Sequence, residues 1–439
     1  MKKWVLLTSL MSSLAFAEEV TEPAVLNTGN TAWMMMSTAL VLLMTPIGLA
    51  LFYSGMTRVK NVLNTYLMVF GAFTIAFIAW VVAGFSIAFG TVEGSLNEFI
   101  GGFSHIMLSG ISWSDLSAET GQTYPKFVFI VFQGTFAAIT IAIAAGSVIE
   151  RMKFSTWMIF AFIWTIVVYA PIVHMVWGGG YLFNEGALDF AGGTVVHMNG
   201  GLAGLVLAIL LGKRNDYPKT AMKPASIILT AVGAGLLWFG WYGFNGGSAF
   251  GANEIAGLAY LTTTIATSIA AITWLIIETI IFKKATLLGA ASGAIAGLVA
   301  ITPAAGFVDV SGSLIIGIVG SIVAFFGVAM LKKKLGYDDS LDAFGIHFLA
   351  GMWGAVATGI FALNDKDLLW DGPLKDADDR LAQIFVQFES IVVVGIYTLI
   401  GTIVVYYIAS MLTKGARVTE EEERQGLDES LHGERGFNL

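Results

Sequence analysis

Two histidines set in apolar sequence carry the clearest chemistry in this chain. His197 lies eight residues past Asp189, in Val195-Val196-His197-Met198, and His347 lies in Gly345-Ile346-His347-Phe348. An ionisable side chain inside a membrane-spanning stretch is costly, and it points by default to a functional site. Two imidazoles facing one another in apolar surroundings can be axial ligands of haem. They can equally line a narrow pore and offer a hydrogen-bonding path through an otherwise dry channel. The bland alternative is a pair of structural histidines, each satisfied by a backbone carbonyl. His174, near the end of its apolar stretch, reads as interfacial packing, and His105 and His432, in polar segments, read as solvated.

Aromatic residues cluster in three further places. Phe132-Gln133-Gly134-Thr135-Phe136 sets two rings four residues apart, on one helical face. Trp177 precedes Gly178 to Gly180, and Trp241-Tyr242-Gly243-Phe244-Asn245 precedes Gly246, Gly247 and Ser248. Taken singly, an aromatic at a membrane boundary belongs to the interfacial belt. Several converging beside glycine-rich turns can instead form a cage for a small cation. Asp189, a few residues before the His197 helix, can cap that helix.

The elements that position these groups are membrane helices. Of 439 residues, 56% are hydrophobic and 12% charged, with mean hydropathy +0.78. That is far from the roughly 25% charge of soluble domains. Twenty-three Lys and Arg against 31 Asp and Glu leave no basic surface for nucleic acid. The absence of cysteine excludes disulfides, thiolate metal sites and cysteine nucleophiles. The 51 glycines suit closely packed membrane helices.

Residues 1–17 have the form of a cleaved signal peptide: Lys2 and Lys3, an apolar run from Trp4 to Ser13, then Ala15-Phe16-Ala17. Beyond it, apolar runs start near 31, 62, 127, 155, 192, 224, 255, 286, 311, 342 and 386, each long enough to cross a bilayer. With the mature N-terminus outside, thirteen Lys and Arg fall in internal loops and four in external ones. This is a positive-inside pattern over eleven spans with a cytoplasmic C-terminus. The fold predicted is an all-α polytopic membrane protein. Spans 1–5 and 6–10 form two inverted five-helix repeats around a central pore, each closing on a glycine-rich helix with one histidine. Span 11 is an extra outer helix. Residues 18–412 form the transmembrane domain and 413–439 a polar tail, in which Glu420 to Glu423 is either a docking element or a solvated helix start.

At this point the motifs resemble a known family. Asp189-Phe190-Ala191-Gly192-Gly193-Thr194-Val195-Val196-His197-Met198-Asn199 is similar to a signature of the ammonium transporter (Amt) family. So are TALVLLMTPIGLALFYSGMTRVKNVLN from Thr38, WFGWYGFNGGSA from Trp238 and HFLAGMWGAVATGIFA from His347. Gly415-Ala416-Arg417-Val418-Thr419 and the residues after it resemble the family's regulatory C-terminus. The likeness runs from about residue 30 to the end. A lone departure is Tyr53-Ser54-Gly55, where many relatives have two glycines.

The resemblance implies an ammonium transporter of the plasma (inner) membrane, not an enzyme, with no cofactor or metal. It assigns Phe136, Trp177 and Ser248 to ammonium recruitment, and Phe136 and Phe244 to a gate of stacked rings. It assigns His197 and His347 to the pore and Asp189 to deprotonation or structural support. Phe132, Gln133 and Trp241 fall at the pore mouth. It further implies a homotrimer with one pore per chain, and docking of a PII-type signal protein at the cytoplasmic face. An Rh-like gas channel and an ammonium sensor acting through a partner are the neighbouring readings. The WGGG and GFNGGSA motifs favour the Amt type over Rh.

Overall fold

The computed structural model describes residues 25–117, 123–363 and 380–437. The signal-like segment 1–17 and the acidic stretch 365–379 lie outside the described residues.

Among the described residues are eleven apolar helical segments. They are α1 (Thr28–Met56), α2 (Val59–Phe89), α3 (Lys126–Val148), α4 (Phe154–Asn184), α5 (Gly193–Leu211), α6 (Ile227–Gly247), α7 (Glu254–Phe282), α8 (Leu287–Ile301), α9 (Val310–Leu335), α10 (Phe344–Phe361) and α11 (Arg380–Leu412). Ten are long and apolar enough to cross a membrane; α8, with 15 residues, is shorter. It runs into a turn, 302–308, that stays buried. The predicted starts hold to within a few residues except at α11, which begins at 380 and not near 386. The sequence there looks polar because of Gln383 and Gln387. Both are buried, and their amides donate to the carbonyls of Gly186, Leu188 and Ala355. Inside a membrane protein such bonds let polar residues belong to a span.

The histidine-bearing helices α5 and α10 match one another in a way that hydropathy does not reveal. Each opens with a π-helical segment containing its histidine, Gly193–Met198 in α5 and Phe344–Phe348 in α10. Such widened turns occur often at functional sites. Glycine brings the two helices together. A Cβ on Gly201 would lie 2.6 Å from the Phe348 amide nitrogen, and one on Gly351 would lie 2.9 Å from the Gly193 carbonyl oxygen. Any larger residue would push the histidines apart.

At the opposite end from the aromatic mouth, charged loop residues are joined, not merely solvated. Glu150, fully buried between α3 and α4, accepts from Thr57, from the Arg58 amide and guanidinium, and from Arg214, at 2.7–2.9 Å. Arg214 also pairs with Asp338 at 2.8 Å. Arg151 donates to the carbonyls of Gly212 and Asp338. The C-terminal segment lies over this network. The Val418 amide donates to Arg151, and Arg417 pairs with buried Glu423, which also accepts from the Asn215 amide. Asp428 accepts from the amides of Leu63 and Asn64 at the start of α2. Glu423 is thus a buried anchor of the tail. His432, expected to be solvated, bonds Asn64 and packs edge-on against Phe154.

Burial alone would raise the Glu150 carboxyl, but Arg214 and then Arg58 outweigh it and hold it at about 2. A carboxyl held below its unfolded value contributes stability above that value and loses it as pH falls toward the folded one. The span of the shift corresponds to about 3 kcal/mol. Thermal unfolding in detergent should therefore weaken steadily from about pH 5 downward. Glu150→Gln, which leaves Arg58 without its carboxylate and Arg214 with Asp338 alone, should cost about 3 kcal/mol at neutral pH and flatten that acid limb. An unchanged acid limb in the variant would remove Glu150 as its source.

Candidate functional site

Trp241, expected at the pore mouth, lies instead beside the histidines, while Phe132, Phe136 and Trp177 converge at one end of the helix bundle. They wall a cavity of about 120 Å³ whose lining includes Phe132, Gln133, Phe136, Trp177, Asp189 and Ser248. Trp177 is fixed there because its indole N–H donates to the Asp189 carbonyl at 2.8 Å. Its ring stands edge-on to Phe136, centroids 6.2 Å apart and planes at 78°. The Ser248 hydroxyl donates to the Phe244 carbonyl at 2.8 Å, which leaves its lone pairs free to accept. The Gln133 side-chain oxygen is buried without a hydrogen-bond partner, a second acceptor on the same cavity. Ring faces and oxygen acceptors with no fixed cationic group among the lining residues suit a small cation that donates hydrogen bonds.

Phe136 lines this cavity and covers Phe244 behind it. Their rings stack with centroids 4.1 Å apart and planes at 22°. Beyond Phe244 the stack continues into His197 (5.7 Å), which lies against Trp241 (5.1 Å) and His347 (5.4 Å). Trp241 is anchored by its indole N–H, which donates to Thr302 at 2.9 Å. The Nδ1 atoms of His197 and His347 are 3.3 Å apart. One ring donates there and the other accepts, so the pair holds complementary tautomers. The Nε2 atom of His197 is buried with no partner.

Around the histidines lies a lumen of only about 10 Å³, lined otherwise by Leu49, Phe52, Ile139, Ile143, Leu237, Trp241 and Ile295. That is about the room of one water-sized probe. The direct contact between the imidazoles leaves no space for an iron and its macrocycle between them, so the haem alternative fails on geometry. The Nδ1 atoms are not satisfied by backbone carbonyls, since each bonds the other ring.

Asp189 has an explicit structural job. Its carboxylate accepts from the amides of Gly192, Gly193, Thr194 and Val195 and from the Thr194 hydroxyl, at 2.5–3.1 Å. It caps the first turn of α5 almost completely. The chain enters that turn through Gly192, whose φ of +109° is open chiefly to glycine.

Three residues of the candidate site carry no signal that the sequence analysis singled out. Thr302, which fixes Trp241, lies in the buried turn after α8, and a hydroxyl following an apolar run was the available signal. Phe89 and Phe250 complete the cavity wall; neither follows a motif that singles it out. His174, expected at the interface, is instead fully buried.

Comparison with known proteins agrees across the whole length. A family model described as the Ammonium Transporter Family matches residues 32–437. An ammonium transporter of Aquifex aeolicus (strain VF5) is 48% identical over 439 residues, covering 99% of this chain and 98% of the relative. One from Bacillus subtilis (strain 168) is 47% identical over 409 residues, 93% of this chain and 98% of the relative. Among solved structures, Mep2 of Saccharomyces cerevisiae superposes with a TM-score of 0.80 at 33% identity, covering 90% of this chain and 91% of that one. A protein titled Sensor Amt Protein superposes with a TM-score of 0.83 at 26% identity, covering 92% and 98%.

Proposed function

As the chain belongs to the ammonium transporter family, we propose that it takes up ammonium by separating the cation into ammonia and a proton at the aromatic mouth. The carrying observation is the order of groups along one path: a cation-suited cavity, a stacked phenyl gate, then a histidine pair in a lumen otherwise apolar. Trp177, Phe136 and Ser248 hold the cation, and Gln133 and Phe132 border it. Phe136 and Phe244 open transiently. Ammonia passes His197 and His347, exchanging hydrogen bonds with them, while the proton takes a separate path.

Selectivity follows from this chemistry. Ammonium and potassium are similar in size, so a pore of carbonyl ligands separates them poorly. Potassium has no proton to lose, and an intact cation cannot enter an apolar lumen cheaply, whereas neutral ammonia can. The loop charges support a mouth facing outward and a C-terminal segment facing the cytoplasm. Assembly as a homotrimer in the plasma membrane and docking of a PII-type protein beside the C-terminal segment belong to the same proposal. A sensing role is the second reading, favoured by the likeness to a protein titled a sensor.

Proteoliposomes loaded with a pH dye and offered ammonium or potassium test the proposal. Ammonium-driven flux with no response to potassium is expected; no ammonium flux, or equal response to both ions, would overturn it. In the same assay Trp177→Leu should raise the half-saturating ammonium concentration about 10-fold, the loss of one partly desolvated cation–π contact, with a smaller effect on maximal flux. An unchanged half-saturation would remove Trp177 from recruitment.

A further inference from the structure

His174 is the one fully buried histidine that the transport path does not use. Its Nδ1 lies 2.9 Å from the carbonyl oxygen of Ala88 and its Nε2 lies 2.6 Å from that of Asn97. Carbonyl oxygens only accept, and a neutral imidazole has a single N–H. Both contacts are hydrogen bonds only when both ring nitrogens carry protons; a neutral ring would press a bare lone pair against an oxygen. We propose that His174 is a doubly protonated positioning residue for cation recruitment, tying the end of α4, and with it Trp177, to the end of α2 and the loop beyond.

The surroundings fit a positive ring. Ala88 lies in the last helical turn of α2, Asn97 in the 3₁₀ turn Ser95–Glu98, and His174 in the last turns of the helical segment Ala170–Trp177. Helix C-termini carry partial negative charge and favour a cation. Neither α2 nor α4 contains a carboxylate, and Glu93, Glu98 and Glu185 on the adjoining loops are exposed. The charge is therefore met by backbone carbonyls.

The same residue controls the turn that presents Trp177. The His174 carbonyl accepts from the amides of Gly178 and Gly180, both at 3.0 Å. A Cβ on Gly178 would sit 2.0 Å from the Ala88 oxygen and 2.8 Å from His174 Nδ1, so the chain passes against the clasp only as glycine. Ala88 adjoins Phe89, which lines the recruitment cavity together with Trp177. One imidazole thus sets two walls of that cavity from behind.

The functional half of this inference rests on the recruitment reading; its chemical half does not. In ¹⁵N-histidine-labelled protein in nanodiscs at neutral pH, the signals missing from His174→Gln should show two protonated nitrogens. A ring with one bare nitrogen overturns the inference. In proteoliposomes His174→Gln should raise half-saturation for methylammonium about fivefold, the cost of one lost hydrogen bond, with maximal flux changed much less. Unchanged half-saturation, or a fall in maximal flux alone, overturns the positioning role. Were the variant not to fold, the number of protonated nitrogens in the wild-type spectrum decides. If wild-type protein carries no methylammonium while the ring is doubly protonated, the transport reading fails and the clasp stands.

Discussion

Replacing His197 and His347 together by leucine should lower ammonium flux by about two orders of magnitude while the protein still folds. Moving a polar amine nitrogen from water into an apolar setting without a hydrogen bond costs roughly 2–7 kcal/mol. Among the lining residues the only polar side-chain group besides the two imidazoles is the Trp241 indole N–H, which is already bonded to Thr302, and the buried Nε2 of His197 has no partner. Removing both raises the barrier by about 3 kcal/mol, which is a factor of about 100 in rate. Leucine roughly keeps the volume and gives up only a hydrogen bond between the two rings, so folding should tolerate the change. Either single replacement leaves one donor–acceptor ring and should cost about tenfold. Flux within twofold of wild type in the double variant, with potassium still excluded, would mean that the histidines fill space and do not conduct.

The histidine pair was legible in the sequence because an ionisable residue in an apolar run has few innocent explanations. Its direct contact was not, since that depends on widened turns opening α5 and α10 and on glycines at 201 and 351. The count of spans came from hydropathy and from loop charge. That use of charge concealed a second role. Arg58, Arg151 and Arg214 read as orienting loop residues, yet each is engaged with buried groups, and their partners at 150 and 338 lie far along the chain. Nothing local distinguishes an arginine that faces water from one that meets a buried carboxylate. The same holds for Glu423, one of four successive glutamates, of which it alone is buried. His174 was misread because its partners are backbone carbonyls, which carry no sequence signal.

Asp189 allows capping and charge to be separated by experiment. The first four amides of a helix lack intrahelical partners, and at α5 one carboxylate accepts four amides and a hydroxyl in a buried setting. Asp189→Ala would strand these donors, at roughly 1–3 kcal/mol each and at least about 4 kcal/mol together. Little folded protein should reach the membrane. Asp189→Asn keeps one accepting oxygen but turns an amide group toward N–H donors. It should fold with an intermediate loss of about 2 kcal/mol. Because the capped segment Gly193–Met198 contains His197, flux should fall in step with stability and the histidine contact should loosen. If Asp189 acts through charge alone, the outcome differs: both variants would unfold like wild type and lose flux equally. Measuring unfolding temperature and flux on the same two proteins therefore decides which role dominates. Five donors converging on two oxygens favour the graded result.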